Sequence, residues 1–231
     1  MITYFLLITY QILKRRRQRL NIIFAGFFIS TIIGNALNII YFSMTIKDTI
    51  LALNFLTNFF FVLGPIFILT VNRIILESTI IFSVRRQNIY ILFYGLFLFL
   101  GMLILILLGL IFDPLWPNKP LLGLTINPDT HAPVWGLFFL IYVITFSAVF
   151  VVIPIFRTSL KIFKSFETRV LKKKWIYYFI GSLGAFSIFY LIIIGNMLDD
   201  INFKNIVSIY GISVLLWVSL MYYGIGFKLK T

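Results

Sequence analysis

Between Arg86 and Asp113 the sequence reads QNIYILFYGLFLFLGMLILILLGLIF, residues 87–112, without one charged side chain. As an α-helix this run is about 39 Å long at 1.5 Å per residue, more than a hydrocarbon core of roughly 30 Å requires. Five further uncharged runs lie around it, at 20–46, 49–72, 132–156, 175–198 and 205–227. The composition agrees: of 231 residues, 61% are hydrophobic, 19% aromatic and only 12% charged, with a mean hydropathy of +1.04. A soluble domain carries about a quarter of its residues as charges, so this chain is read as an integral membrane protein.

The residues ahead of the first long run, Met1–Leu13, are apolar throughout but span only about 20 Å as a helix. A signal peptide would carry its basic residues before the apolar run, whereas Lys14-Arg-Arg-Arg17 follows it. The segment is therefore expected to cross as a short helix, aided by snorkelling of Arg15 and Arg16. The expected fold is all-α: one polytopic transmembrane domain over 1–231, with seven spans near 1–13, 22–44, 50–72, 88–112, 135–156, 175–197 and 206–226. If 1–13 does not cross, six spans remain.

Loop charge sets the orientation, because Lys and Arg near helix ends are retained on the cytoplasmic side. Segments 14–21, 73–86, 157–174 and the tail hold 17 of the 20 basic residues. The alternate loops hold only Lys47, Lys119 and Lys204, with five of the seven acids. A cytoplasmic C-terminus and an external N-terminus follow. Trp116 and Trp135 fall at the outer boundary and Trp175 at the inner one, where indoles favour headgroup level; Trp217 is mid-span. The net charge of +13 is thus orientation plus attraction to anionic inner-leaflet lipid. Basic residues scattered over separate membrane-flanking loops do not build a nucleic-acid surface.

Ionisable groups inside a membrane mark ion paths, proton relays or catalysis, and no span carries one near its middle. The last span has no Lys for a retinal adduct. Cys is absent and the single His, His131, sits in an outer loop, where with Asp129 it is too sparse for a metal site. No phosphate-binding or dinucleotide-binding glycine pattern occurs. Neither an enzyme, a metal nor a cofactor is expected. Arg73 and Glu77, four apart, are expected to pair at the inner end of the third span.

What remains inside the spans is amide. Asn35 and Asn38 share one helical face, as do Asn54 and Asn58 on the next helix. The short turn around Lys47 makes these helices antiparallel and puts all four amides at matching depth in the outer half. They are expected either to bond one another between helices or to line a ligand pocket open to the outside. Gly64-Pro65 and Pro154 are expected to kink their helices. Gly181, Ser182, Gly184, Ala185 and Ser187 form a small-residue surface for close helix approach. Pro114, Pro117, Pro120 and Pro128 suggest a stiff outer cap. The inner connection 157–174 alternates apolar with basic residues. It is expected to lie on the inner leaflet or extend the fifth span, with Lys161, Lys164, Lys172, Lys173 and Lys174 at the membrane surface; docking of a cytoplasmic protein partner is the alternative.

Two segments carry a resemblance. Lys172-Lys-Lys-Trp-Ile-Tyr-Tyr-Phe-Ile-Gly181 and Met221-Tyr-Tyr-Gly-Ile-Gly226 resemble the seven-helix membrane region at the N-terminus of many archaeal and bacterial histidine kinases. In that family the last helix leads into cytoplasmic signalling domains, whereas this chain stops five residues after Gly226. The resemblance implies a sensor-like membrane module that signals through another chain. An accessory subunit of a membrane complex and a small solute-transporter subunit are the alternatives, though no half-length repeat favours a carrier.

Overall fold

The computed structural model describes residues 1–15, 18–113, 120–127, 133–198 and 200–226. Pro114, Trp116, Pro117, Pro128, Asp129, His131, Lys228 and Lys230 lie outside them, so the proposed proline cap is described only in part. The described chain is almost wholly helical: α1 (Ile2–Arg15), α2 (Arg19–Phe42), α3 (Lys47–Ile81), α4 (Val84–Phe112), α5 (Leu137–Ser147), α6 (Ile153–Ser165), α7 (Arg169–Leu198), α8 (Ile201–Gly211) and α9 (Val214–Gly226). A two-stranded antiparallel hairpin, β1 (Leu124–Ile126) and β2 (Pro133–Trp135), interrupts the series.

Among the described residues, six helical stretches are long and apolar enough to cross a bilayer: Arg19–Phe42, Lys47–Glu77, Val84–Phe112, Leu137–Ser165, Arg169–Leu198 and Asn202–Ile225. These match the six uncharged runs and fit a multi-pass membrane protein. Helix α1, with 14 residues, is shorter than the others.

Helix α3 is the centre of the bundle. Ile66, Ile68, Leu69, Thr70, Val71 and Asn72 are all 0% exposed, and a helix buried all round has protein on every side. It packs against α2, α4 and α6. It also runs through Gly64-Pro65 without a break, contrary to the interruption expected there. Neighbouring helices in a bundle hold a proline-containing turn helical despite its missing hydrogen bond.

Pro154 acts differently. Between α5 and α6 the residues Ala148–Val152 form a π-helical turn, and the Ile153 amide donates to the Ala148 carbonyl five residues back. The wider turn absorbs the amide that Pro154 lacks, so α5, the π-turn and α6 remain one span.

The small-residue surface on α7 meets α9. A Cβ added at Gly181 would stand 2.5 Å from the Trp217 carbonyl oxygen and 2.7 Å from the Met221 amide, so only glycine lets these backbones approach. Gly184 faces the Trp217 ring in the same way.

The outer hairpin is pinned twice. The amides of Leu121, Leu122 and Gly123 each donate to the Asp113 carboxylate at 2.9 Å, fastening the loop to the end of α4. Trp135, on β2, is 1% exposed and drives into the bundle. Its ring packs edge-on against Phe139 at a 5.0 Å centroid distance.

Candidate functional site

A large hollow lies in the half of the bundle nearer the hairpin. It is a cleft of about 580 Å³ bounded by α1, α2, α3, α7, α8 and α9. Asn35, Asn38 and Asn58 are on its wall, together with Thr31 and Ser208. The rest of the wall is apolar and aromatic, including Phe5, Phe27, Phe61, Phe186 and Phe189, and no charged side chain lines it. The glycine seam of Gly181 and Gly184 holds α7 against α9, and Phe186, Phe189 and Ile192, further along α7, line the cleft.

The four amides differ in their bonding. Asn58 Nδ2 donates to the Asn54 carbonyl at 2.7 Å and to Asn54 Oδ1 at 2.9 Å. Asn54 Oδ1 also accepts from Trp135 Nε1 at 3.4 Å. Asn54, 3% exposed, therefore stands behind the wall and fixes Asn58 and the hairpin rather than lining the cleft. Asn35 Nδ2 donates to the Thr31 carbonyl at 2.8 Å, within its own helix. Asn38 is exposed and forms no hydrogen bond among the described residues. The bonding expected between the α2 and α3 amides does not form. Each helix satisfies its own asparagine through an i to i−4 bond, and Gly34 lets Phe61 and the Thr57 carbonyl into the gap instead, at 2.9 and 3.2 Å from an added Cβ.

In this arrangement Asn58 has spent both N–H groups, and its Oδ1 accepts nothing among the described residues. A carbonyl in an apolar enclosure needs a donor from water or from an occupant.

A second polar assembly was not foreseen. At the other end of α3, Asn72 Nδ2 donates to Ser159 Oγ at 2.9 Å, with Thr158 Oγ1 and the Ile155 carbonyl at 3.3 and 3.4 Å. Asn72 Oδ1 accepts from the Tyr178 hydroxyl at 2.9 Å, and Trp175 Nε1 donates to the Ser159 carbonyl at 2.9 Å. Trp175 is 4% exposed. Asn72 immediately precedes Arg73 at the end of an uncharged run, which gives it the look of a boundary residue. The signal in the sequence was the i, i+1 pair Thr158-Ser159 facing inward on a helix otherwise rich in Ile and Phe.

Arg73 Nε donates to Glu77 Oε1 at 3.2 Å, as their spacing requires. The guanidinium also lies 5.1 Å from the ring centroids of both Phe82 and Tyr90. The inner connection is not one amphipathic helix. Lys161 and Lys164 end α6, residues 166–168 form the link, and Lys172, Lys173 and Lys174 begin α7. Lys161, Lys164 and Lys173 are exposed, Lys172 and Lys174 half-buried; Lys172 lies over Phe163 at 5.8 Å. Phe166, turned toward Trp175 at 6.0 Å, gives the link an apolar anchor that favours a corner over a continuous helix.

Among the described residues no group of three His, Asp or Glu side chains is placed to hold a metal. No family model matches the chain, and no curated protein or solved structure matches it either.

Proposed function

We propose that this chain is a receptor-like membrane protein of seven spans, with an external N-terminus and a cytoplasmic C-terminus. It binds a small molecule in the outer-half cleft, has no catalytic group of its own, and passes occupancy to a partner chain. The observation that carries the reading is the cleft with Asn35, Asn38 and Asn58 on its wall and one uncommitted carbonyl oxygen. The resemblance of Lys172–Gly181 and Met221–Gly226 to kinase-linked seven-helix regions supports it.

Helix α1 supports the seventh span. Phe5, Ile8 and Ile12 are buried along one face, yet the opposite face is also apolar, with Leu6, Leu7 and Tyr10 more than half exposed. Such a helix suits lipid on its free side better than water. Its Tyr4 hydroxyl donates to the Leu215 carbonyl at 3.1 Å and bonds Ser219 Oγ, tying α1 to α9.

Helix α7 is the natural transmitter. Its outer half lines the cleft with Ala185, Phe186 and Ile193, and its inner end carries Tyr178, Trp175 and the three lysines. A ligand shifts such a helix only by binding one of its positions better than another. The lysines on α6 and α7 hold the basic face against anionic lipid, each contributing about 1 kcal/mol near a charged surface.

The test has two arms. A reporter fused after Thr231 reads as cytoplasmic; an external signal overturns the orientation. The tagged chain is purified in mild detergent from its own cells and bound proteins are identified, with Asn58→Leu in parallel. Recovery of a signalling chain whose association changes in the variant supports the proposal. Recovery of a fixed assembly indifferent to Asn58 makes the protein an accessory subunit instead.

A further inference from the structure

The last span breaks where it meets the cleft. Ile212 and Ser213 separate α8 from α9. The amides of Ile212, Ser213 and Leu215 donate to the carbonyls of Ile209, Tyr210 and Ile212, each three residues back, at 3.1, 2.9 and 3.2 Å. An unbroken α-helix would direct the Ile212 and Leu215 amides to Ser208 and Gly211, four residues back. Those two carbonyls leave the ladder, and both residues line the cleft. The Ser208 hydroxyl is itself committed, donating to the Lys204 carbonyl at 2.9 Å.

The amides of α2 and α3 line another side of the same cleft. Asn58 Oδ1 is uncommitted, and Asn35 has spent one N–H on Thr31, inside its own helix. Acceptors on Asn58 and α8, and N–H groups of Asn35 and Asn38, therefore border an otherwise apolar enclosure on more than one wall. Irregular backbone at membrane depth persists where it is buried in protein or faces a polar occupant.

Resting on the reading that the cleft binds a ligand, we infer that its occupant is an uncharged amphipath with a hydroxyl head and an alkyl or ring-bearing tail. The hydroxyl donates to one uncommitted oxygen, Asn58 Oδ1 or the Gly211 carbonyl, and its own oxygen accepts from the Asn35 or Asn38 N–H. The tail fills the wall of Phe27, Phe61, Phe186 and Phe189. A carboxylate or an ammonium head would be buried with no side chain of opposite charge among the lining residues. The volume of about 580 Å³ is in the range of small-molecule sites. Access is from the bilayer, because the rim residues Met1, Ile212 and Leu215 are apolar and 60%, 68% and 38% exposed.

The experiment places the full chain in nanodiscs with a diazirine-bearing dodecanol and maps the photo-adducts by mass spectrometry. Competitors at equal membrane fraction are dodecanol, its methyl ether, dodecanoate and dodecylammonium. Adducts are expected on 186–193 and 207–218. Dodecanol is expected to displace the probe about tenfold better than the ether, the worth of one or two hydrogen bonds. Asn58→Leu should erase that preference while Val207→Phe blocks labelling, both with unchanged helical content and elution; should Asn58→Leu not fold, Asn35→Leu replaces it. Equal competition by alcohol and ether, or stronger competition by the acid or amine, overturns the hydroxyl inference and leaves the ligand-binding reading standing. Adducts confined to the lipid-facing side of α4 overturn both.

Discussion

The two buried asparagine assemblies on α3 sit at opposite ends of the same helix and are finished differently. At the inner end Asn72 is 0% exposed, and both its oxygen and its nitrogen are engaged by side chains from α6 and α7. In the outer half Asn58 is 4% exposed and bonds only to Asn54 of its own helix, leaving an acceptor toward the cleft. An amide satisfied from two neighbouring helices is glue, because moving either one strands a buried polar group. An amide satisfied from its own helix leaves its neighbours free to move. The inner half is thus the closed part of the molecule and the outer half the adaptable one.

The contrast is broken most forcefully at the glycine seam. Gly181→Leu places a side chain on the Trp217 and Met221 backbone and should cost about 1–3 kcal/mol through overpacking, lowering the melting temperature measured in nanodiscs. Asn72→Leu comes next. It keeps the volume but strands the Tyr178 hydroxyl and Ser159, for a loss of about 1–2 kcal/mol. Ser159→Ala in the Asn72→Leu background should then cost less than in wild type, a coupling readable by a double-mutant cycle. Asn58→Leu should change the stability of the ligand-free protein by no more than about 0.6 kcal/mol, yet remove any stabilisation that an added ligand confers. An Asn58→Leu loss as large as that of Asn72→Leu would erase the distinction between the two ends. The smallest effect is expected at Thr57, whose Oγ1 is buried without a partner. Thr57→Val replaces that hydroxyl by a methyl group and should leave the melting temperature unchanged or raise it slightly.

Helix positions were legible because exclusion of charge from hydrocarbon is a one-dimensional signal. The uncharged runs around 87–112 map onto the six long helices with little shift. The cleft amides were legible for a related reason: asparagine amid Ile, Leu and Phe needs an explanation wherever it points. Which amide would be glue was not legible, because the deciding partners come from far along the chain. Trp135 reaches Asn54 across 81 residues, and Tyr178 reaches Asn72 across 106. The tryptophans' partners were hidden for the same reason: Trp135 and Trp175 lie at span boundaries in sequence, and their indoles donate to Asn54 Oδ1 and the Ser159 carbonyl. The break between α8 and α9 was hidden too, since a glycine and a serine in an apolar run are as common in unbroken spans as in broken ones.

The π-turn at Ala148–Val152 has a consequence for timing along the helix. Val143, Ser147, Val151, Ile155 and Ser159 are each no more than 1% exposed and recur at intervals of four. An α-helix turns about 100° per residue, so each such interval overshoots a full circle by about 40°, and the four together by about 160°. One wide turn takes up about 100° of that excess and brings the inward face back toward α3. Deleting Val149, a half-exposed residue, would restore 3.6-residue winding and swing Thr158 and Ser159 about 100° away from Asn72, unpicking that assembly from ten residues off. A slip of the same turn along the span would turn only the residues between its old and new positions, by about 100°, while both ends of the helix kept their faces and the span its length.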